Sequence, residues 1–397
     1  MTMLGDDVAV VGGGLVGKAA ALALAQAGLR VSLCGAREAP AQAAQGFAQR
    51  IYALNEASRD LLRSLRAWDQ IPGQRVQPVQ AMRIAADGAV LRFDAYAQGV
   101  ESLAWILESD AIERALDLAL RFERGVRAMP EPVAEARRAP DGWELELGGG
   151  ARLHASLLVG ADGRSSRVRE WSGIGLRSRP YGQSAVVCNF ACAAPHGAAA
   201  RQTFTADGGV LALLPLPGQQ VSLVWSAPDA LAEELRQLAP EQLARRVEQH
   251  LDALQAGHLA PLQAAGAIGA WPLVLQRADS VAAEGVALLG DAAHVVHPMA
   301  GHGLNLGLQD VQALAAVLGR RGAGEGLGQL PLLQRYARAR AEQVLALELA
   351  TDGLHRLYSP GLRWMAPLRA LGLRATDRLP LLKSWLAGYA SGRSVLS

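Results

Sequence analysis

Residues 6–35, DDVAVVGGGLVGKAAALALAQAGLRVSLCG, leave few folds open to the rest of the chain. Val8–Val11 is short, apolar and β-branched, as a strand buried on both faces of a parallel sheet must be. Gly12, Gly14 and Gly17 follow in the G-x-G-x-x-G spacing. The first permits a tight turn, the second lets backbone approach a pyrophosphate, and the third lets a helix pack closely on the sheet. Ala19–Ala27 is a strong helix former that Gly28 ends, and Leu29–Cys34 makes the second strand. The leading amides of that helix would face phosphates with a favourable dipole. The unit reads as a dinucleotide site. One position departs from the pattern: Gly35 stands where an acid should hold the ribose. Arg37, two residues on, could meet a phosphate instead, and Glu38 follows it.

The chain is long enough for a second domain, at 397 residues. Half of it is hydrophobic and 19% charged, which fits a folded protein rather than a disordered one. A formal charge of +2 carries no nucleic-acid footprint. Three cysteines, Cys34, Cys188 and Cys192, do not suggest a disulfide framework, and a reducing compartment is the simpler expectation. No apolar run reaches eighteen residues, and MTMLGDD lacks the basic-then-apolar pattern of a signal peptide. The expected location is cytoplasmic, with room for a peripheral place at the inner face of the membrane.

After the first unit, FAQRIYALNEASRDLLRSLRAWDQI reads as a polar loop that becomes helical near Ala53, with Asn55 and Ser58 as local caps or solvent-facing residues. Arg50 stands just before it, able to reach a cofactor or to be an ordinary surface arginine. Residues 76–94 read as a hairpin turning at ADG. Ser109 or Asp110 would cap a helix over Ala111–Leu120, and strands follow around APDG and LGGG. SAVVCNFAC, RQTFTAD, GVLALLPLP and QVSLVWS form an antiparallel sheet of different character, then residues 230–256 are helical and AIGAWPLVLQRAD returns a strand. The expected fold is α/β: a Rossmann-like cofactor domain from 1–75, 95–180 and 280–345, an inserted, mainly antiparallel substrate sheet from 76–94 and 181–279, and a helical region over 346–397.

Two later segments look like ligand edges. An apolar strand runs into Gly160-Ala161-Asp162-Gly163 before a basic helix start, although a turn alone would explain those glycines. GVALLGDAAHVVHPMAGHGLNLGLQD runs a buried strand into Gly290 and Asp291, then crowds His294, His297 and His302 beside Pro298, Gly301 and Gly303. Three nearby histidines invite a metal, yet no second ligand cluster, HExxH or CxxC accompanies them. Asp291 can accept hydrogen bonds from sugar hydroxyls, and a helix from about Leu304 to Leu318 would aim its positive end at a ring carbonyl. A seat for a flavin ring accounts for the glycines better than a metal does.

Taken together, Gly12-Gly13-Gly14-x-x-Gly17, QRIYALNEASRDLL, GADGRSSRVR, GDAAHVVHPMAGHGLNLGLQD and the terminal DRLPLLKSWLAGYASG resemble the flavin-dependent aromatic hydroxylases of the para-hydroxybenzoate hydroxylase fold, and among them the ubiquinone-biosynthesis hydroxylases. The resemblance spans nearly the whole chain. It implies FAD on the first glycines, Arg50 near the flavin, and Asp162-Gly163 in a motif serving FAD and the nicotinamide donor. It further implies Gly290 and Asp291 along the ribityl–pyrophosphate section and Pro298 beside the isoalloxazine. Gly301, Gly303, Leu304 and Asn305 would then present backbone to its pyrimidine edge. His302 replaces the glutamine usual between those two glycines.

The implied reaction uses NAD(P)H and O₂, through a flavin C4a-hydroperoxide, to hydroxylate the ring of a polyprenylated phenol or quinone precursor. No side chain is singled out as catalytic; Tyr181, Asn189, His196 and Gln202 are candidates for an acceptor on the substrate hydroxyl. The Trp-, Leu- and Arg-bearing stretch YSPGLRWMAPLRALGLRATDRLPLLKSWLAG could meet a membrane surface or another biosynthetic protein, or simply cover the cofactor domain. Rival readings are a hydroxylase of a soluble aromatic compound and a non-catalytic flavin-bound scaffold.

Overall fold

The computed structural model describes residues 4–36, 46–297 and 301–379, with Lys383 and Gly388, the side chains of His302, Pro360 and Arg363 apart. The chain opens β1 (Leu4–Val11), α1 (Leu15–Gln26), β2 (Val31–Cys34). Helix α1 starts four residues before the Ala/Leu run, because Gly14 can serve as its N-cap; Gly28, at φ +83°, ends it as expected. Then comes β3 (Ile51–Leu54), and only afterwards α2 (Glu56–Ser64). Ala53 is therefore in a strand: Tyr52 and Ala53 pair with a distant strand, and Asn55 caps the helix by accepting from the Ser58 N–H at 3.0 Å.

Strand β4 (Gln77–Val79) precedes the hairpin β5 (Ala81–Ala86) and β6 (Ala89–Asp94), which turns at Asp87-Gly88 with both φ positive. After β7 (Ala104–Glu108), α3 spans Ser109–Phe122. Its N-cap is Glu108, and neither Ser109 nor Asp110 caps it; the Ser109 hydroxyl donates to Asp110 instead. Strands β8 (Val126–Met129), β9 (Val133–Ala139), β10 (Gly142–Leu147) and β11 (Arg152–Gly160) lead to α4 (Arg167–Trp171).

The second sheet is laid down by β12 (Leu176–Cys192), β13 (Ala199–Phe204), β14 (Val210–Leu216) and β15 (Gln220–Pro228). Helices α5 (Asp229–Gln237) and α6 (Pro240–Glu248), then β16 (Leu262–Ala264) and β17 (Gly269–Ala278), complete it. The chain returns through β18 (Ala282–Ala283), β19 (Val286–Leu288) and β20 (His294–Val295), and ends in α7 (His302–Gly319), α8 (Leu330–Leu357) and α9 (Ala366–Arg378).

Parallel strands β8, β2, β1, β11 and β19 stand side by side in that order, a Rossmann-like sheet assembled from distant parts of the chain. Alternation along β1 assigns its faces: Val8 and Val10 pack under α1, α3 and α7, whereas Ala9 and Val11 join the core built on β9–β11 and α4. A fully buried aliphatic side chain contributes about 1.5–3 kcal/mol, so this two-sided core anchors the turn at the end of β1. In the second sheet β12, β15, β14 and β13 are antiparallel neighbours, and β13 runs parallel to β5. Val186, Cys188, Phe190, Leu211, Leu213, Leu223 and Trp225 seal its outer face against α5 and α6. The opposite face therefore looks toward the cofactor domain, and the Asn189 amide crosses to the Phe47 and Ala48 carbonyls at 3.1 and 3.2 Å. All three cysteines are buried and free.

Candidate active site

The turn after β1 is held by backbone touching backbone. A Cβ on Gly17 would sit 1.8 Å from the Gly12 carbonyl oxygen, one on Gly12 2.2 Å from that of Ala161, and one on Gly13 2.2 Å from that of Gly35. Gly14 differs: a Cβ there would meet nothing within 4 Å. Three glycines thus close the turn, and Gly14 faces open space at the uncapped N-terminus of α1. That is the surface an anion would occupy. Gly13 has a role the spacing did not suggest; its signal was its place as the middle glycine of the GGG triplet. Gly35 itself has φ +75°. Arg37 lies outside the described residues.

A second uncapped helix start belongs to α7. Gly301 is its N-cap at φ +67°, a conformation costly for a residue with a Cβ, and Gly303 again faces open space. Asn305 is buried, and its side chain is fully used: its Oδ1 accepts from the Asn55 N–H at 3.0 Å and its Nδ2 donates to the Ala53 carbonyl at 2.8 Å. It pins β3 and α2 to the start of α7, so what remains for a ligand here is backbone. Leu304 is buried in the core beneath. Pro298 lies outside the described residues.

Between these helix starts runs the turn at Gly290 and Asp291. Gly290 has φ +56°, and Gly307, one and a half turns into α7, leaves room for Val16 of α1 to sit against it. The Asp291 carboxyl is open to solvent yet ringed by protein, as a group lining a cleft is. That crowding raises its pKa, against the opposing pull of His294, Arg50 and Arg164. Arg50 is exposed, its guanidinium 5.8 Å from the centre of the Trp271 ring.

Asp162 and Gly163 follow β11, Gly163 at φ +83°. The Asp162 Oδ2 accepts the Arg167 and Val168 N–H groups at 2.7 and 3.2 Å, so this carboxylate caps α4. Arg169, buried on α4, donates to the Ala292 carbonyl at 2.9 Å and ties this motif to the Gly290 turn.

Across the cleft, register aligns Ile84, Gln202, Ala212, Val224, Val187 and Gly269 on six successive strands of the inner face. Gln202, Ala212 and Val224 stay half-exposed in mid-sheet, which leaves a gap between sheet and cofactor domain. Of the four acceptor candidates, Gln202 is the one in this row. Asn189 holds the Phe47–Ala48 loop, and the His196 ring is spent on the Leu216 and Gly218 carbonyls at 2.8 and 2.9 Å. Tyr181 packs edge-on against His297 at 4.8 Å, where β12 bulges between Pro180 and Ser184. His297 is fully buried, and burial, aided by His355, pushes its pKa down to about 3. His294 lies on Asp310 instead, so two of the motif's histidines are engaged with different partners.

A Rossmann-like sheet with a glycine-closed turn, two uncapped helix starts, an acid between them and an inserted sheet facing the cleft defines a dinucleotide-dependent oxidoreductase with a substrate chamber. The cradle fits FAD: an elongated, polar cofactor needs backbone approach at Gly14 and Gly303, and both positions are clear of protein. The chain belongs to the FAD binding domain family, whose model matches residues 6–350. It is 36% identical to 3-demethoxyubiquinol 3-hydroxylase of Escherichia coli (strain K12), covering 99% of this chain and 100% of that one. It is 35% identical to the ubiquinone hydroxylase UbiL of Rhodospirillum rubrum, covering 97% and 89%. The fold matches PqsL of Pseudomonas aeruginosa, a probable FAD-dependent monooxygenase, with a TM-score of 0.75 at 24% identity, over 94% of this chain and 100% of that one. This protein is an FAD-dependent monooxygenase of the aromatic-hydroxylase superfamily, using NAD(P)H and O₂.

Proposed function

We propose that this monooxygenase hydroxylates the aromatic ring of a polyprenylated phenol in ubiquinone biosynthesis. The observation that carries the reading is end-to-end similarity to two hydroxylases named for ubiquinone or its precursor. Bound FAD, once reduced by NAD(P)H, supplies the activation of O₂. The chain does the rest. Amides at the start of α1, opened by Gly12, Gly14 and Gly17, hold the pyrophosphate, with Arg37 able to add a charge. Asp291, beside Gly290, accepts from sugar or ribityl hydroxyls, and Arg50 approaches the flavin from the Trp271 side. Backbone at Gly301, Gly303, Leu304 and Asn305 receives the ring's pyrimidine edge. Asp162 and Gly163 serve by shaping the α4 turn.

The row at Gln202, Ala212, Val224 and Val187 forms the substrate wall: small apolar side chains leave room for a substituted ring, and the Gln202 amide meets its oxygen. Keeping this chamber dry favours oxygen transfer over release of peroxide. Trp364, Leu368, Leu371 and Leu379 are exposed around α9, beside Arg374 and Arg378, a composition suited to the surface of a membrane that dissolves such a substrate. No helix among the described residues is long and apolar enough to cross a membrane.

The test couples NAD(P)H oxidation to product formation with prenylphenols of graded tail length and with soluble phenols. Ring hydroxylation that improves with tail length is the expected result. Peroxide alone from every prenylphenol, or turnover of soluble phenols only, overturns the substrate assignment. Flotation with anionic liposomes tests the α9 surface separately, and absence from the lipid fraction removes it.

A further inference from the structure

The Gly290-Asp291 turn is held from outside as well as by its own backbone, where the Ala293 N–H donates to the Gly290 carbonyl at 2.8 Å. The Gly290 N–H donates to Asp310 Oδ2 at 2.9 Å, and Asp310 has no exposed surface. Two nitrogen groups face that carboxylate: His294 Nε2 lies 2.8 Å from Oδ2, and Arg340 Nε donates to Oδ1 at 2.7 Å. Arg340 also reaches the Leu306 carbonyl at 3.4 Å and the side chain of Gln343. One turn earlier on α8, the buried Tyr336 hydroxyl donates to the Leu288 carbonyl at 2.7 Å, at the end of the strand that delivers the turn.

A buried carboxylate is expensive unless its partners are charged and well placed. Here the charged partner Arg340 comes from α8, a helix that packs outside the nucleotide sheet. The same helix is tied at its far end to the second sheet, through Glu348 with Arg277 at 3.4 Å, Asp352 with Arg179, and Tyr358 stacked on Phe204 at 3.6 Å. None of Asp310, Arg340 and Tyr336 is placed to touch the open side of the cradle, so any effect they have on a cofactor passes through the turn.

We infer that Asp310, Arg340 and Tyr336 are positioning residues for the cofactor: through them α8 sets the geometry of the Gly290-Asp291 turn and with it the affinity for FAD. The inference rests on the reading of that turn as an FAD contact. A pair of double variants isolates it. D310N/R340M leaves no unpaired carboxylate or guanidinium and keeps an oxygen for the Gly290 N–H; D310L/R340M likewise leaves neither of those charges and removes the partner of both the Gly290 N–H and His294. FAD is titrated into the flavin-free proteins, alongside R335Q, a change on the same helix that alters only an exposed ion pair with Glu325.

D310N/R340M and R335Q are expected within about threefold of the unaltered protein, and D310L/R340M at least about tenfold weaker, about 1.4 kcal/mol. Equal affinity of both double variants and the unaltered protein overturns the inference. Failure of the unaltered protein to take up FAD overturns the FAD reading instead. Should D310L/R340M not fold, Tyr336→Phe carries the test: faster amide exchange at 288–292 and weaker FAD binding are expected, and no change in either sinks the proposal.

Discussion

The two glycine-bearing turns proposed to hold the cofactor are built in opposite ways. The first, Gly12–Gly17, is closed by main chain alone: its glycines abut the carbonyls of Gly12, Ala161 and Gly35, and no side chain caps α1. The second, from Gly290 to Asn305, is closed by side chains: Asp310, His294 and Arg340 beneath Gly290, and Asn305 across to β3 and α2. A main-chain turn tolerates almost no change of residue but needs no distant help. A side-chain turn depends on groups far along the chain and on their protonation.

The comparison is broken hardest at Gly17. Gly17→Val places a branched side chain against a carbonyl 1.8 Å from its Cβ, in a core with no room to yield. The expected outcome is protein without flavin, or no folded protein, read by the 450 nm region of the absorption spectrum and by circular dichroism. Normal flavin content would mean that the turn is not backbone-limited.

A smaller effect separates the turns by pH. The first contains no titrating side chain of its own. The second adjoins His297, which faces Tyr181, Gln183, His355 and, farther off, Asp352. The unfolded chain takes up this proton near pH 6.5 and the folded chain only near 3. Stability from this group is full above the upper value and is lost as pH falls through the window, by about 2 kcal/mol between pH 7 and pH 5. His297→Gln should flatten the fall in urea midpoint over that range; an unchanged fall would assign the acid sensitivity elsewhere.

The smallest effect on stability is at Gly14, where the first turn is open rather than closed. Gly14→Ala meets no protein atom, so unfolding free energy should move by no more than about 0.5 kcal/mol, backbone entropy offsetting a poorer N-cap. FAD affinity should nonetheless fall, because the methyl group occupies the approach to the helix amides. Unchanged affinity would remove the pyrophosphate from this position.

What was legible in the sequence follows the same division. Gly12, Gly14 and Gly17 could be read because strand, turn and helix are contiguous and their spacing is local, although the atom that crowds Gly12 is the remote Ala161 carbonyl. The hairpin at Asp87-Gly88 and the inserted sheet were readable for the same reason: turn chemistry and period-2 patterning are local signals. The helix expected near Ala53 starts at Glu56, because pairing with β7, more than fifty residues later, holds Ile51–Leu54 as a strand. Ser109 and Asp110 looked like caps, but the extended Glu108 ends a strand and takes the N-cap position first. Arg169, Asp310, Tyr336 and Arg340 were passed over: in QRYARARAEQ nothing local separates the buried Arg340 from the exposed Arg335 and Arg338.

By itself the amino-acid sequence determined the parallel nucleotide-binding unit, the inserted antiparallel sheet and the glycine turns at the strand ends, since these follow from residue type and short-range spacing. Only the tertiary structure decided which side chains hold the second turn, that Asp162 caps a helix, and that Gln202 rather than Asn189 or His196 faces the gap. Those assignments depend on which carbonyls, carboxylates and rings from remote segments come within about 3 Å, a distance set by packing and invisible in any local stretch of chain.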